Sequence, residues 1–134
     1  MQPPPDRLSG ASSPESALAV EVVARGEQAV RVFSLASRQY ARGVDIALAT
    51  KLVQELPGPT PVYCVFDLTG VEKIEGAFFG ELLKLMKVVK LTGGTLKLCG
   101  LAKPLRDVLR VTKMERVFEL CDNRDAALAL FGPA

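Results

Sequence analysis

The stretch from Val62 to Leu91, VYCVFDLTGVEKIEGAFFGELLKLMKVVKL, restricts the possible folds more than any other part of the chain. Val62 to Phe66 is a short apolar run of β-branched and aromatic residues that stops at Asp67, the pattern of a buried strand. Beyond it the period becomes helical, with apolar pairs at Leu82/Leu83, Leu85/Met86 and Val88/Val89. A strand therefore feeds a loop and then a helix, and Glu72, Lys73, Glu75, Gly76 and Ala77 make the connection. In an open α/β sheet, ligands and partners meet the fold at the carboxyl ends of the strands. A working site is expected at this connection.

The flanking sequence extends the pattern. Ala19 to Ala24 and Ala29 to Leu35 are β-type runs separated by Arg25, Gly26, Glu27 and Gln28, which predicts an antiparallel hairpin. Asp45 has the character of an N-cap for a helix carrying Ile46, Leu48, Ala49, Leu52, Val53 and Leu56, and Pro57 with Gly58 would end it. After the central helix, Gly93 and Gly94 form a turn into a strand at Thr95 to Cys99. Pro104 suits the first turn of a further helix, followed by a last strand at Val117 to Leu120 and a terminal helix at Arg124 to Phe131. Strands alternating with helices imply crossover connections, so the fold class is α/β: one domain with a mostly parallel sheet, an N-terminal hairpin and about four helices.

Composition narrows the function. The 134 residues are 49% hydrophobic, enough for one globular domain over residues 17–134. Residues 1–16 are rich in proline and serine, have no apolar run and read as a disordered tail. A net charge of +2 gives no case for nucleic acid, and the absence of histidine excludes histidine-based triads and disfavours zinc. Cys64, Cys99 and Cys121 form no CxxC and cannot all pair, so they read as free thiols of a reducing cytoplasm. Phe78 to Leu91, the most apolar stretch, is broken by Glu81, Lys84, Lys87 and Lys90, and no membrane insertion is expected. The Gly93-Gly94 pair is followed by Thr95 and Leu96, without the lysine of a phosphate loop. Asp67, Glu72 and Glu75 could be imagined as a magnesium cluster, but no acidic pair follows the earlier strands to complete one. Neither a cofactor nor a metal is expected.

From Asp67 to Leu130 the chain resembles the STAS domain family of anti-sigma-factor antagonists. The resemblance rests on Asp67-Leu68 at the strand end, Val71 and Ile74, the acidic Glu75 before two small residues, and Gly80. It continues through Gly93-Gly94, Pro104 and Val117-Phe118. About half the chain is covered in this way; the first half matches only in its order of elements. A Gly-Glu-Leu-Asp turn usual after the second strand is missing, and Ser37, Arg38, Gln39 and Tyr40 stand near that place. Members that act as phosphorylation switches carry Asp-Ser-Ser-Gly-Leu-Gly in the loop, and a partner kinase modifies the first serine. Here the loop reads Glu75-Gly76-Ala77-Phe78-Phe79-Gly80, so Gly76 takes the phosphoserine position and Ala77 the second serine. A phosphoryl group needs an acceptor oxygen, and neither residue supplies one.

The resemblance implies a non-enzymatic regulatory module that binds a protein, such as an anti-sigma factor of the serine-kinase type or a component of a signalling assembly. An alternative is a STAS subunit that supports the ATPase of a lipid-transport ABC system. Nucleotide binding, proposed for some STAS domains, has no phosphate motif here. The partner-binding candidates are Glu75, Gly76, Ala77, Phe78, Lys84 and Lys87. Glu75 reads equally as a carboxylate stabilising the positive end of the helix it precedes. Phe78 and Phe79 point about 100° apart on a helix, so both could pack, or Phe78 could stand exposed as an anchor. Lys84, Lys87 and Lys90 read either as a solvated face or as a docking face for an acidic partner or an anionic lipid surface.

Overall fold

A computed structural model describes residues 18–35, 40–56 and 60–131. Strands β1 (Leu18–Arg25) and β2 (Gln28–Leu35) form the expected hairpin, turning at Gly26, whose φ of +59° glycine adopts without steric cost. There follow β3 (Tyr40–Ala41), α1 (Gly43–Gln54), β4 (Tyr63–Asp67), β5 (Lys73–Ile74) and α2 (Ala77–Leu91). The chain continues through β6 (Thr95–Cys99), α3 (Lys103–Val111), a 3-10 turn at Met114–Arg116, β7 (Glu119–Cys121) and α4 (Arg124–Ala129). Five strands make the main sheet in the order β1-β2-β4-β6-β7, antiparallel at β1–β2 and parallel elsewhere.

Alternation along the strands divides the core between the two sheet faces. Phe33, Leu35, Cys64, Phe66, Leu96 and Leu98 face α1, α2 and α3 and pack with Ile46, Phe78, Leu82, Leu85, Leu105 and Leu109. On the other face Val30, Val32, Val65 and Cys99 pack with Ala127, Leu128 and Phe131 from the α4 region. Buried on this second face is Lys97, which pairs with Glu119 directly across β6–β7 and lies 5.2 Å from the centre of the Phe131 ring. Partnering by a carboxylate and an aromatic face offsets the cost of burying its charge.

Local chemistry explains the junctions. Pro104 stands in the first turn of α3, where the missing N–H costs nothing. Where α2 gives way to β6, Thr92 Oγ1 accepts from Val62 N at 3.0 Å and donates to Val89 O at 2.6 Å. At Gly94 a Cβ would overlap the Val62 carbonyl, so the turn requires glycine.

Three details differ from the sequence reading. Asp45 is the third residue of α1 and not its N-cap; Arg42 holds that place, and the Asp45 carboxylate accepts from Arg42 N at 3.2 Å, one half of a capping box. The last strand starts at Glu119, because Val117 N and Phe118 N both donate to Met114 O and hold these residues in the turn. A two-stranded parallel pair, β3 with β5, was not anticipated, since two-residue strands carry no readable period. The Pro57-Gly58 helix stop and the residue 1–16 tail lie outside the described residues.

Candidate functional site

The loop between β4 and α2 lies at the carboxyl edge of the parallel strands and is fastened to the start of α1. Lys73 and Ile74 pair with Tyr40 and Ala41, and Glu75 N donates to Ala41 O at 2.8 Å. The Glu75 side chain then reaches across, its Oε1 accepting from Gly43 N at 2.8 Å. Gly43 is the first residue of α1, so the carboxylate satisfies one of the orphan donors at that helix's positive end. The helix-stabilising role expected of Glu75 is therefore exercised on α1 and not on α2. Gly43 itself must be small: a Cβ there would stand 3.1 Å from Ala77 Cβ and 3.3 Å from Glu75 Oε1.

Gly76 occupies the N-cap position of α2 with φ −55° and ψ −36°, a conformation open to any L-residue. It is exposed, and no atom lies within 4 Å of where its Cβ would be. Ala77 and Gly80 are exposed as well, and with Lys84 and Lys87 they continue one solvent-facing stripe along α2. Lys84 contacts Glu81 at 3.4 Å.

Phe78 does not belong to this surface. It is 1% exposed and sits in the main core, so its role as an exposed anchor is corrected: its place on α2 turns the ring toward the sheet. Phe79 is half-buried and meets it edge-on, with ring centroids 5.7 Å apart at 86°. Both rings pack.

Asp67 and Glu75 are engaged separately, and Glu72 is exposed. Asp67 Oδ1 accepts from Thr69 N at 3.0 Å and from Thr69 Oγ1 at 2.6 Å, a local turn that Gly100, with φ +71°, must leave room for. Among the described residues no group of three or more His, Cys, Asp or Glu side chains is placed to hold a metal ion. Cys99, beside Asp67, has its thiol pushed up to about 12, first by burial and then by the negative charge and hydrogen bond of Asp67. Burial raises Cys64 to about 12 as well, and Cys121 is also raised. A cavity of about 260 Å³, lined among others by Met86, Lys90, Val117 and Glu119, lies at the far end of α2 from the loop.

The family model for the STAS domain matches residues 20–127. The chain belongs to the STAS domain family. A STAS protein from Planctomyces limnophilus superposes with a TM-score of 0.64 at 23% identity, over 84% of this chain and 97% of that one. A putative anti-sigma factor antagonist from Thermotoga maritima gives 0.65 at 19% identity, over 85% and 93%. The murine anion transporter Slc26a9 is similar over 86% of this chain but only 22% of its own length, with a TM-score of 0.61 at 9% identity. No curated protein matches. At these identities the likeness concerns the fold.

In this STAS domain the positions that the resemblance assigns to the two serines, Gly76 and Ala77, are both exposed at the start of α2. Of the other candidates, Glu75 is bound to α1, Lys84 and Lys87 share the outer face of α2, and Phe78 lies beneath. The sequence reading missed the Glu75–Gly43 tie and the buried Lys97. Gly43 beside Arg42 and Asp45 gave no cue to a carboxylate arriving from 32 residues away. Lys97 had a visible signal, a lone cation inside an otherwise apolar strand.

Proposed function

We propose that this STAS domain is a regulatory, non-enzymatic protein-binding module of the cytoplasm that engages an anti-sigma-factor-type partner without a phosphorylation switch. The observation that carries this reading is the geometry at Gly76. The backbone there is helical, exposed and sterically open, the setting in which a serine would be presented to a kinase, yet the residue has no hydroxyl. The partner surface would be Glu75, Gly76, Ala77, Lys84 and Lys87. The small residues leave the helix start open to close approach, and the lysines supply a salt-screened attraction for an acidic partner. Glu75 would act by holding the loop against α1, so the surface is pre-organised and association requires little ordering. Binding is then constitutive, because the charge that phosphorylation would add beside Glu75 cannot be installed at Gly76.

The test compares three chains against a serine-kinase-type anti-sigma factor from the same genome. Lys84→Glu with Lys87→Glu should weaken binding mainly at low salt. Gly76→Ser should fold normally, bind as well as the parent, and gain a phosphate with ATP, losing affinity as it does. A Gly76→Ser chain that binds the kinase and is never modified would show that the partner docks elsewhere.

A further inference from the structure

We propose that the β1 edge of the sheet is a self-complementary interface through which two copies of this chain pair strand to strand, antiparallel. β1 is eight residues long, is hydrogen-bonded to β2 alone among the described residues, and keeps an unbroken register from Leu18↔Leu35 to Arg25↔Gln28, without a bulge. It contains no proline, and Val20 and Val22 are 46% and 59% exposed. Folded proteins usually blunt an edge of this kind with proline, bulges, short strands or inward charges.

The strand specifies its own register. The two-residue turn Gly26–Glu27 closes on Arg25 and Gln28, which makes that pair a hydrogen-bonded one. Alternation then points the backbone groups of Glu21, Val23 and Arg25 toward β2, and those of Val20, Val22 and Ala24 away from the sheet. A second β1 must therefore meet even-numbered residues with even-numbered ones. In the register that sets Val23 opposite Val23 of the second copy, Val22 exchanges hydrogen bonds with Ala24, and Glu21 stands directly opposite Arg25, twice by symmetry. The neighbouring allowed register leaves Glu21 against Val23, and the one beyond it sets Glu21 against Glu21. Only the first uses both charges. Arg25 has no carboxylate partner among the described residues, and its Nε is buried without a hydrogen bond. Glu21 contacts Arg124 through Oε1 at 2.7 Å, which leaves Oε2 for Arg25 of the second copy. On the opposite side of the strand, Val22 of each copy lies against Ala24 of the other, while Val20 comes opposite Gly26 at the turn. The pairing centre lies toward the hairpin turn, away from the Glu75 loop, so the dimer keeps that loop open.

Sedimentation velocity over a range of concentrations tests this on the full chain, with a melting curve for each variant to establish folding. The parent should show a concentration-dependent dimer. Arg25→Glu alone and Glu21→Arg alone should each weaken it at least about tenfold by opposing like charges. An equimolar mixture of these two variants should recover a mixed dimer, which a merely structural role for either residue would not produce. Val23→Cys should form an intermolecular disulfide under mild oxidation, since facing residues of a non-hydrogen-bonded antiparallel pair lie close enough for one. A monomer at all concentrations, a dimer indifferent to both charge reversals, or Val23→Cys that cross-links no faster than Val111→Cys would overturn the proposal.

Discussion

Removing the Glu75 carboxylate should loosen the start of α1, a helix to which Glu75 does not belong. Its Oε1 accepts from Gly43 N at 2.8 Å, and Gly43 is buried, so Glu75→Ala leaves an N–H with little access to water. A hydrogen bond to a charged acceptor contributes about 1.5 to 3 kcal/mol. The favourable placement of negative charge at a helix N-terminus adds about 0.3 to 1 kcal/mol. Because Glu75 is only half-buried, a net loss of about 2 kcal/mol is expected for Glu75→Ala. Glu75→Gln keeps an acceptor of the same reach and should lose about 1 kcal/mol, the part due to charge. For a domain of this size, 2 kcal/mol corresponds to a fall in melting temperature of roughly 6 to 10 °C. Urea unfolding at neutral pH measures both variants, and an unchanged slope would show that the folded state is otherwise intact. Stability of Glu75→Ala within about 0.5 kcal/mol of the parent would refute the capping role, since surface substitutions away from such features fall in that range.

Phe78→Ala should cost about 3 to 5 kcal/mol of folding stability, as for any deleted core phenyl ring, while the fraction that remains folded binds its partner normally. Calorimetry and affinity measured on one preparation separate these effects. Gly94→Ala should fail to fold or lose several kcal/mol, because the Val62 carbonyl occupies the space of the new methyl group. The thiols of Cys64 and Cys99 ionise only near pH 12 in the folded protein, against an ordinary value near 9.0. Between those values the unfolded chain has released thiol protons that the native state retains, so stability should fall as pH rises above about 9. At pH 8 neither thiol should react with iodoacetamide at an appreciable rate in the native state.

The sheet and its helices were legible because their signals are local and repeated. Val62 to Phe66, Thr95 to Cys99 and the apolar pairs of α2 each repeat a period over several residues, and glycine and proline punctuate them. The site was legible as a place and not as a set of contacts. The strand-loop-helix order located the Glu75 loop, but the reach of Glu75 to Gly43 depends on how α1 packs beside α2, which no local pattern encodes. Phe78 and Phe79 show the same limit. Helical geometry separates their directions, while which ring enters the core depends on the rotation of α2 over the sheet. β3 and β5 were missed because two residues carry no period, and Asp45 because a carboxylate at the third helical position serves the cap as well as one at the N-cap does.

Binding measured before and after kinase treatment addresses most directly the claim that this STAS domain engages its partner through a loop that cannot be switched by phosphate. The protein would be titrated with a serine-kinase-type anti-sigma factor, first without nucleotide and then after prolonged incubation with magnesium and ATP, with an intact-mass spectrum taken from each sample. The account predicts unchanged affinity and an unchanged mass, with no phosphate on residues 71–81. Added phosphate on a hydroxyl outside that segment, Thr69 just upstream above all, accompanied by loss of binding, would contradict it.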